Sequence, residues 1–515
     1  MILTWHFLTC LLAITSITNS SMPSAEVRQR KGGLAAAAGD PTATVTKKKL
    51  RVVIVGGGPA GAATALSLMK YHGDSLEVSL FDAYPHPSDI RKDQVKKAYA
   101  IAIGKRGYAS LEQATGLSHT NFPGGILCHH LGRHPAATPG KTMKRDPPAL
   151  IVPRHRLAGH LLDEAKAVGV QVHLEHSLQD LNVQQKVATL SSGGVAKEVS
   201  YDLLIGADGS NSKVRTLLNE KVEDFKVERL EVDSMEYQVL TLPGTPFSEY
   251  PPDTVHAWNN KEYNSIMLAF PMVAADSQGH SLDKLRCALV FPEGKFDGFK
   301  KDPAALQTAI RKVLPDLTDD LYEDIQKQVL VGETANGGTC VWTSSLVSKS
   351  ANIALVGDAG HGMWPSLGQG CICALETTNI FCQTFKDWIE TTTNGNVELK
   401  NELSTLLDDF DRRRHKDARA AVDLTYGGIG ARTSRGRGNS PLSYKLQIAG
   451  MMLLNKLTMG VVPKPALLRL MGGDSSLSYS TARQFNFYYE KIICCSSALL
   501  LTVGGAMVVT YCFQK

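Results

Sequence analysis

Residues 51–61 of this 515-residue chain read RVVIVGGGPAG, and they decide the fold. RVVIV is a short β-branched run typical of a buried strand, and the AATALSLMK that follows the glycines is typical of a helix. The glycines between them obey G-x-G-x-x-G. In that pattern Gly56 allows a tight turn, Gly58 lets the backbone approach a pyrophosphate, and Gly61 lets the helix pack closely on the strand. The stretch therefore predicts a dinucleotide-binding α/β unit.

An acidic residue at the end of the next strand extends the pattern. The run LEVSLF ends at Asp82, 21 residues after Gly61, where a carboxylate can bind the ribose hydroxyls. The start of the intervening helix adds N–H donors and a dipole that favour phosphate. A Gly-rich turn in an ordinary α/β unit would explain the glycines, but it would not explain an acid at this spacing.

Two later segments carry further turns at strand ends. Residues 202–215 read DLLIGADGSNSKVR, where an apolar strand delivers an Asp-Gly pair into a turn. Residues 353–370 read IALVGDAGHGMWPSLGQG, where a Gly-Asp pair ends a strand and Gly-Gln-Gly opens a helix. A carboxylate at a strand end can hold a ribose or polyol hydroxyl, and a Gly-rich loop can place N–H groups against a flavin edge or a phosphate. Their order after the first motif favours a single dinucleotide site over isolated structural turns.

The three motifs together resemble the single-component (class A) flavoprotein monooxygenases, the family of para-hydroxybenzoate hydroxylase. The resemblance implies an α/β fold: a Rossmann-like FAD-binding domain, an antiparallel β-sheet substrate domain and a C-terminal helical region. It also implies an FAD-dependent oxidoreductase. NAD(P)H, the co-substrate, would reduce FAD, O2 would add at the flavin C4a, and one oxygen would pass to a small aromatic substrate.

The resemblance also implies which residues bind FAD. They are Gly56, Gly58, Ala60, Gly61, Asp82, Arg154, Asp208, Gly209, Gly357, Asp358, Pro365, Gly368 and Gly370. By this resemblance, Asp208 would lie beside the pyrophosphate, Asp358 would bind the ribityl chain, and Arg154 would reach the FAD. No catalytic side chain is required, because the flavin carries the chemistry. His361 and Pro365 would lie near the flavin, where His361 either affects proton transfer or makes a structural hydrogen bond.

Within that family, several segments are similar to the kynurenine 3-monooxygenase group. They are AIAIGKRGYASLEQATGL at 100–117, LAFP at 268–271 and CALVFP at 287–292. The resemblance implies that Lys97 and Glu376 bind the substrate. Lys97 replaces the arginine expected to bind a carboxylate, which keeps the charge but loses the bidentate fork. Ile372 stands where the group has an asparagine.

Composition and motifs together predict the domain organisation. The expected segments are a signal-like apolar segment at 1–20, a basic linker or transit segment at 21–49, the FAD-binding domain at 50–225 and 346–415, a substrate-binding β-sheet domain at 226–345, a C-terminal helical region at 416–490 and a transmembrane anchor at 492–513. Short alternating runs between 228 and 292 predict the antiparallel sheet. Residues 303–328 are expected to form two helices joined around Pro315.

The charge of the chain is concentrated near its ends. The formal net charge is +5, but residues 1–50 carry +4 and residues 491–515 carry +2, which leaves 51–490 at −1. A nearly neutral body argues against nucleic-acid binding, for which a concentrated basic face is expected.

Residues 492–513 contain no charged side chain. As a helix, these 22 residues would span about 33 Å, enough for a hydrocarbon core of about 30 Å. We expect a single-pass C-terminal anchor in the lipid bilayer; a buried core helix is the alternative. The family resemblance suggests the mitochondrial outer membrane, whereas the signal-like start allows the endoplasmic reticulum or a plastid.

A histidine-rich stretch raises the question of a metal site. Cys128, His129, His130 and His134 lie close together in sequence, but no second cluster with ligand spacing completes a site, so no metal is predicted. None of the ten cysteines forms a C-x-x-C pair.

Two other functions remain open at this stage. An FAD-dependent reductase or dehydrogenase of a lipid or isoprenoid substrate would explain the anchor and would work without oxygen. A non-catalytic flavin-binding membrane protein would bind FAD but would not oxidise NAD(P)H.

Overall fold

The computed structural model describes residues 49–89, 99–135, 138, 140–244, 247–275, 280–393, 402–427, 450, 452–453, 455–457, 459 and 464–485, all within one compact unit. The expected segment 1–20, almost all of 21–49, the expected anchor 492–513 and Lys97 lie outside these ranges. Within them, no helix is both long enough and apolar enough to cross a membrane.

The described residues form nineteen strands and eleven α-helices. The strands are β1 Leu50–Val55, β2 Leu76–Phe81, β3 Ala100–Ile103, β4 Ile126–His134, β5 Thr142–Pro153, β6 Gln171–His173, β7 Ser177–Asn182, β8 Val187–Ser192, β9 Val195–Ser200, β10 Leu203–Gly206, β11 Val227–Val232, β12 Met235–Pro243, β13 Thr254–Asn260, β14 Ser265–Ala275, β15 His280–Pro292, β16 Ala335–Asn336, β17 Thr339–Thr343, β18 Val347–Ser348 and β19 Ile353–Leu355. The helices are α1 Pro59–His72, α2 Lys105–Thr115, α3 Arg154–Ala167, α4 Lys213–Lys221, α5 Lys295–Lys301, α6 Pro303–Val313, α7 Asp319–Val331, α8 Asp358–His361, α9 Gly370–Thr393, α10 Leu403–Gly427 and α11 Ala466–Met471.

A six-stranded sheet carries the first glycine turn. Its order is β18-β19-β10-β1-β2-β6, and every pairing is parallel except β18 with β19. Strands β1 and β10 are buried along nearly their whole length, as parallel strands are when both faces of their sheet are covered. Helix α1 buries Ala62, Ala63 and Ala65 completely, and these small side chains let its backbone lie close to its neighbours. The expected Rossmann-like α/β fold is confirmed.

An eight-stranded sheet forms the second layer, in the order β16-β12-β15-β14-β13-β4-β5-β3. Strands β12 to β15 are antiparallel, as the alternating runs predicted. The sheet differs from the expected domain division because it also takes β3, β4 and β5 from residues 100–153. The joining pair, β4 with β13, is parallel, so it depends on partners more than 100 residues apart in the chain. That pairing leaves no local pattern in the sequence.

Helices cover one face of the eight-stranded sheet. Helices α6 and α7 match the two helices expected around Pro315. Helix α6 begins where Pro303 occupies its first position and Asp302 accepts a hydrogen bond from the Ala305 N–H at 3.1 Å. Leu306, Ile310, Ile325 and Val329 are buried against the sheet, and burying each such side chain contributes about 2 kcal/mol.

Helices α9 and α10 complete the core around the first sheet. Phe381 and Phe385 of α9 and Phe410 of α10 are fully buried in the same cluster as α1 and β1. Two smaller sheets, β7-β8-β9 and β11-β17, are antiparallel. Strand β17 ends just before β18, so the chain passes from the two-stranded sheet into the six-stranded sheet that carries the third motif.

Candidate functional site

The first glycine turn leaves no room for side chains at two of its positions. Gly56 has φ +111°, and a Cβ there would lie 2.3 Å from the Ala207 carbonyl oxygen. A Cβ on Gly61 would lie 2.0 Å from the Gly56 oxygen. Gly58 is different, because a Cβ there would meet only Arg154, at 3.6 Å. The turn therefore packs tightly against β10 and α1, and it has an open side that faces Arg154.

Ala60 lies just behind this turn and ties two helices together. Its carbonyl accepts hydrogen bonds from the Thr64 hydroxyl at 2.7 Å and the Thr378 hydroxyl at 3.3 Å. Thr378 belongs to α9, so the first turn of α1 is fixed to the helix that follows the third motif.

Asp82 lies at the end of β2, beside the glycine turn. One carboxylate oxygen accepts from the Gly57 N–H at 2.5 Å, and the other accepts from the Tyr84 N–H at 2.8 Å. The side chain is partly exposed. The carboxylate therefore holds the turn in place, and its contact with a ribose stays a prediction.

Asp208 caps helix α4. Its carboxylate accepts from the Ser212 hydroxyl at 2.5 Å and from the N–H groups of Lys213 and Val214 at 2.7 and 3.1 Å. Burial raises the pKa of this carboxyl, and these hydrogen bonds oppose the rise. The next residue, Gly209, has φ +82° and open space where a Cβ would be. The carboxylate of Asp208 is occupied by these hydrogen bonds, whereas the backbone at Gly209 is open, so a phosphate could approach Gly209.

Arg215 joins the second motif to the third, a role that the sequence analysis missed. Its guanidinium donates to the carbonyl of Ser210 at 2.7 Å and to those of Ala359 and Asp358 at 2.9 and 3.4 Å. It is 4% exposed. The only sequence signal was its position at the end of DGSNSKVR. One planar group thus fixes the distance between the two turns.

The third motif places Asp358 against the first. Gly357 has φ +61°, and a Cβ there would lie 2.9 Å from the Ala60 Cβ, so this turn packs directly on α1. Burial raises the pKa of the Asp358 carboxyl, while Arg154 and Arg215 oppose the rise. The residue is nonetheless partly accessible to solvent.

Two tyrosines that the sequence analysis did not single out lie near Arg154. Tyr99 and Tyr237 lie edge to face, with ring centroids 6.0 Å apart. Burial raises the pKa of both phenols. Burial alone would lower the pKa of Arg154, but Tyr99 and Asp358 raise it above its usual value. Tyr99 follows the undescribed segment 90–98, and Tyr237 lies on β12, so only the fold brings them together.

Cys371, at the start of α9, lies close to Asp358 and Arg154. Burial and the negative charge of Asp358 raise the pKa of its thiol to about 12, so it stays protonated at neutral pH. The Arg154 guanidinium therefore lies among a carboxyl, two phenols and a thiol.

We call residues 365–370 the flavin loop. Pro365 opens a single 3-10 turn, Gly368 ends it with φ +63°, and Gly370 begins α9. Pro365 and Gly368 are exposed. The Ser366 hydroxyl donates to the Thr425 carbonyl at 2.7 Å, which fixes the middle of the loop to α10.

His361 precedes the flavin loop but is buried, with 1% of its surface exposed. One ring nitrogen is 2.8 Å from the Thr377 hydroxyl. Burial, with a smaller contribution from Arg414, lowers its pKa to about 3, so the ring is neutral. These contacts favour the structural hydrogen bond over a role in proton transfer.

Glu376 of α9 is held by two buried cations. One carboxylate oxygen lies 2.9 Å from Arg106 Nε, and the other lies 2.9 Å from Arg414 Nη1. Its charge is therefore already balanced within the protein. Lys97, the second residue expected to bind substrate, lies outside the described residues, so both substrate assignments stay predictions.

The histidine-rich stretch on β4 does not converge on one point. His129 and His130 both bond Asp253, at 3.0 and 2.8 Å, whereas His134 bonds Asp316. Among the residues with described positions, no three His, Cys, Asp or Glu side chains are placed to hold a metal ion.

Comparison with known proteins shows which family the chain resembles. A family model described as "FAD binding domain" matches residues 49–425. Kynurenine 3-monooxygenase of Flavobacterium psychrophilum is 27% identical over 286 residues, which cover 52% of this chain and 55% of that protein. Kynurenine 3-monooxygenase of Sus scrofa is 26% identical over 354 residues, covering 67% of this chain and 69% of that protein. The chain thus spans little more than half the length of the bacterial relative.

Solved structures share the fold at low sequence identity. The tetrameric form of 2-methyl-3-hydroxypyridine-5-carboxylic acid oxygenase has a TM-score of 0.56 and 19% identity, covering 82% of this chain and 96% of that one. A probable FAD-dependent monooxygenase from Pseudomonas aeruginosa has a TM-score of 0.53 and 17% identity, covering 74% of this chain and 95% of that one. At these identities the likeness concerns the fold.

Proposed function

Because the chain belongs to the family defined by this FAD binding domain, we propose that it is an FAD-dependent aromatic monooxygenase of the kynurenine 3-monooxygenase type. In this proposal it consumes NAD(P)H and O2 and hydroxylates a small aromatic substrate. The observation that carries the proposal is the grouping of Asp358, Tyr99 and Tyr237 around Arg154, which itself lies beside the first glycine turn at Gly58.

The residues at this site fit FAD. Gly209 and Gly368 have open space on the side where a Cβ would project, and Gly58 meets only the Arg154 guanidinium there, so a ligand can approach their backbone. Asp358 is a deep carboxyl that retains accessible surface, and a polyol hydroxyl is a suitable donor to it. Arg154 supplies positive charge beside Gly58, where the family resemblance expects FAD. When bound, FAD would supply the redox chemistry, which is acceptance of a hydride from NAD(P)H and transfer of one oxygen atom from O2. The addition of O2 at the flavin C4a stays a prediction.

The protein's own contribution is positioning and exclusion of water. Arg215 holds the second and third turns at a fixed separation, so the groups that face the cofactor are preorganised. Tyr99 and Tyr237 lie edge to face beside Arg154, and in this proposal an aromatic substrate packs against them. The raised pKa of each phenol keeps it protonated at neutral pH, so it can donate a hydrogen bond.

The chemistry around Glu376 bears on the substrate. A carboxylate paired with Arg106 and Arg414 has less capacity to bind a substrate ammonium than an unpaired one. An aromatic acid, held through its carboxylate by Lys97, is therefore part of the proposal, and L-kynurenine is the first compound to test.

Membrane attachment is a second part of the proposal. Residues 492–513 are long enough and apolar enough to span a bilayer, and the mitochondrial outer membrane, the endoplasmic reticulum and a plastid are the proposed sites. Flotation of the full chain with liposomes tests the attachment, with a variant ending at residue 485 as the control. The proposal expects only the full chain to float; recovery of the full chain in the soluble fraction would contradict it.

The function is tested with the full chain in detergent, FAD and NADPH. We expect L-kynurenine or a related aromatic acid to stimulate NADPH oxidation and to gain one oxygen atom by mass. Turnover that continues under argon would indicate a reductase or dehydrogenase instead. FAD binding without any stimulated NADPH oxidation would indicate a non-catalytic flavoprotein.

A further inference from the structure

A segment near the C-terminal end of the described residues is fixed to the helices around the flavin loop. Gly473 packs so closely on α2 that a Cβ there would lie 3.0 Å from the Lys105 nitrogen. The Ser480 N–H donates to Asp417 of α10 at 2.7 Å. Between these two points, Tyr479 is inserted into the protein with only 1% of its surface exposed.

Tyr479 lies among opposite charges. Arg106 lies over its ring, 4.5 Å from the centroid, and Arg414 is 5.9 Å away. Both arginines pair with Glu376, and Arg414 also pairs with Asp417 at 3.2 Å. The two cations and two acids balance, so the ring closes a neutral, buried cluster. Arg414 is fully buried and makes further bonds to α9, so the cluster is tightly constrained.

The hydroxyl of Tyr479 leaves this cluster and reaches the flavin loop. It donates to the Gln369 side-chain oxygen at 3.0 Å. Gln369 is 3% exposed and lies between the two glycines that resemblance places against the flavin. Its backbone carbonyl accepts the first hydrogen bond of α9 from Cys373 N–H at 2.8 Å, and its amide donates to Leu367 at 3.3 Å.

We propose that Tyr479 is a positioning residue for FAD: through Gln369 it sets the conformation of the flavin loop. Gln369 lies between Gly368 and Gly370, and these glycines give the backbone of the flavin loop conformational freedom. The loop must lose that freedom before it can present its N–H groups in one geometry. The hydrogen bond from a residue fixed by two guanidinium groups removes that freedom. The proposal depends on FAD binding alone, and it holds whichever substrate the enzyme uses.

The test compares two Tyr→Phe variants in the full chain. Y479F keeps the ring between the arginines and deletes only the bond to Gln369. We expect the FAD dissociation constant of the apoprotein, measured by quenching of flavin fluorescence, to rise about five-fold, equivalent to one neutral hydrogen bond of about 1 kcal/mol. The visible absorption bands of bound FAD should shift as well, because the environment of the ring changes.

Tyr322 provides a matched control. Its hydroxyl also donates to a buried acceptor, the Leu314 carbonyl at 2.5 Å, and Arg311 also lies 4.5 Å from its ring centroid. It belongs to the helices behind the substrate sheet. Y322F should lower the melting temperature of the apoprotein about as much as Y479F does, but it should leave the FAD dissociation constant and spectrum unchanged. Equal effects of both variants on FAD, or an unchanged constant in Y479F, would overturn the proposal.

A double variant separates the specific bond from a general weakening. Q369M removes the acceptor while keeping a side chain of similar length. Q369M also removes the bond from the Gln369 side-chain amide to the Leu367 carbonyl, so its own effect can exceed that of Y479F. If Tyr479 acts through Gln369, the combined Y479F and Q369M variant should bind FAD about as weakly as Q369M alone. A further loss of about five-fold on adding Y479F to Q369M would show that the residues act independently and would refute the assignment.

Discussion

Replacing Gly61 by alanine is the sharpest test of how the first turn is built. The added Cβ would lie 2.0 Å from the Gly56 oxygen and 2.9 Å from the Ala207 Cβ. Since the nearest atom is backbone, the start of α1 must move away from β1 by about 1.4 Å or more to restore an ordinary contact. Overpacking costs about 1–3 kcal/mol, and a backbone obstacle places this change near the upper value.

Because the same movement displaces the N–H groups of α1 from the expected phosphate, FAD binding should suffer. A loss of about 3 kcal/mol corresponds to a dissociation constant roughly 150-fold higher, and a loss of about 1 kcal/mol, or about five-fold, is the smallest effect expected. Isothermal titration of the apoprotein with FAD measures it.

Gly298 is the control, since it is exposed in α5 and a Cβ there meets nothing within 4 Å. G298A should leave FAD affinity unchanged and stabilise the protein by about 0.5–1 kcal/mol through helix propensity. FAD affinity of G61A within about two-fold of the wild type would refute the reasoning, because one lost kcal/mol already changes it about five-fold.

Three further variants test other parts of the site. D358N should weaken FAD binding by about ten-fold or more, because it removes a hydrogen bond to a charged acceptor. The melting temperature of the apoprotein should stay the same or rise, because burial disfavours this charge. Unchanged FAD affinity in a titration, or a lower melting temperature, would contradict the assigned role. R215K should destabilise apoprotein and holoprotein alike by about 2–4 kcal/mol, since an ammonium cannot bridge the second and third turns as the guanidinium does. Denaturant unfolding measures this loss, and unchanged stability would refute the role of Arg215 as a bridge. The folded-state pKa of His361, lowered to about 3 from 6.5, makes the unfolded chain bind the extra proton, so stability is present above pH 6.5 and is lost as pH falls toward 3. Between pH 7 and 5 the wild type should lose about 2 kcal/mol more than H361Q; parallel pH profiles of unfolding would contradict the buried neutral ring.

The local parts of the site were predictable from the sequence, and its long-range parts were not. Gly61 is required by its contact with Gly56 in the same motif, and Gly56 is required by its own positive φ, so spacing alone revealed both. Arg215 serves a carbonyl 144 residues away, and Tyr479 serves a side chain 110 residues away. Such partners leave no periodicity in a single sequence. Asp208 is a local residue whose role the sequence did not settle. The family resemblance placed its carboxylate beside the pyrophosphate, whereas in the structure it caps the start of the following helix, and a carboxylate before a helix can serve either purpose.

The same distinction explains the fold. The run at β1 and the alternating strands β12 to β15 carry their own patterns, and both were predicted. Strands β4 and β5 were missed because Pro, Gly, His and Lys interrupt their alternation, and β3 is only four residues long. The place of all three in the sheet depends on the parallel pairing of β4 with β13.

The central claim is that the bound flavin transfers oxygen to an aromatic substrate, and isotope labelling tests it directly. The full chain is supplied with FAD, NADPH, L-kynurenine or a related aromatic acid, and ¹⁸O₂, and the product is weighed by mass spectrometry. The account predicts one ¹⁸O atom in each product molecule and none from labelled water. A product that forms equally without O2, or that takes its oxygen from water, would contradict it.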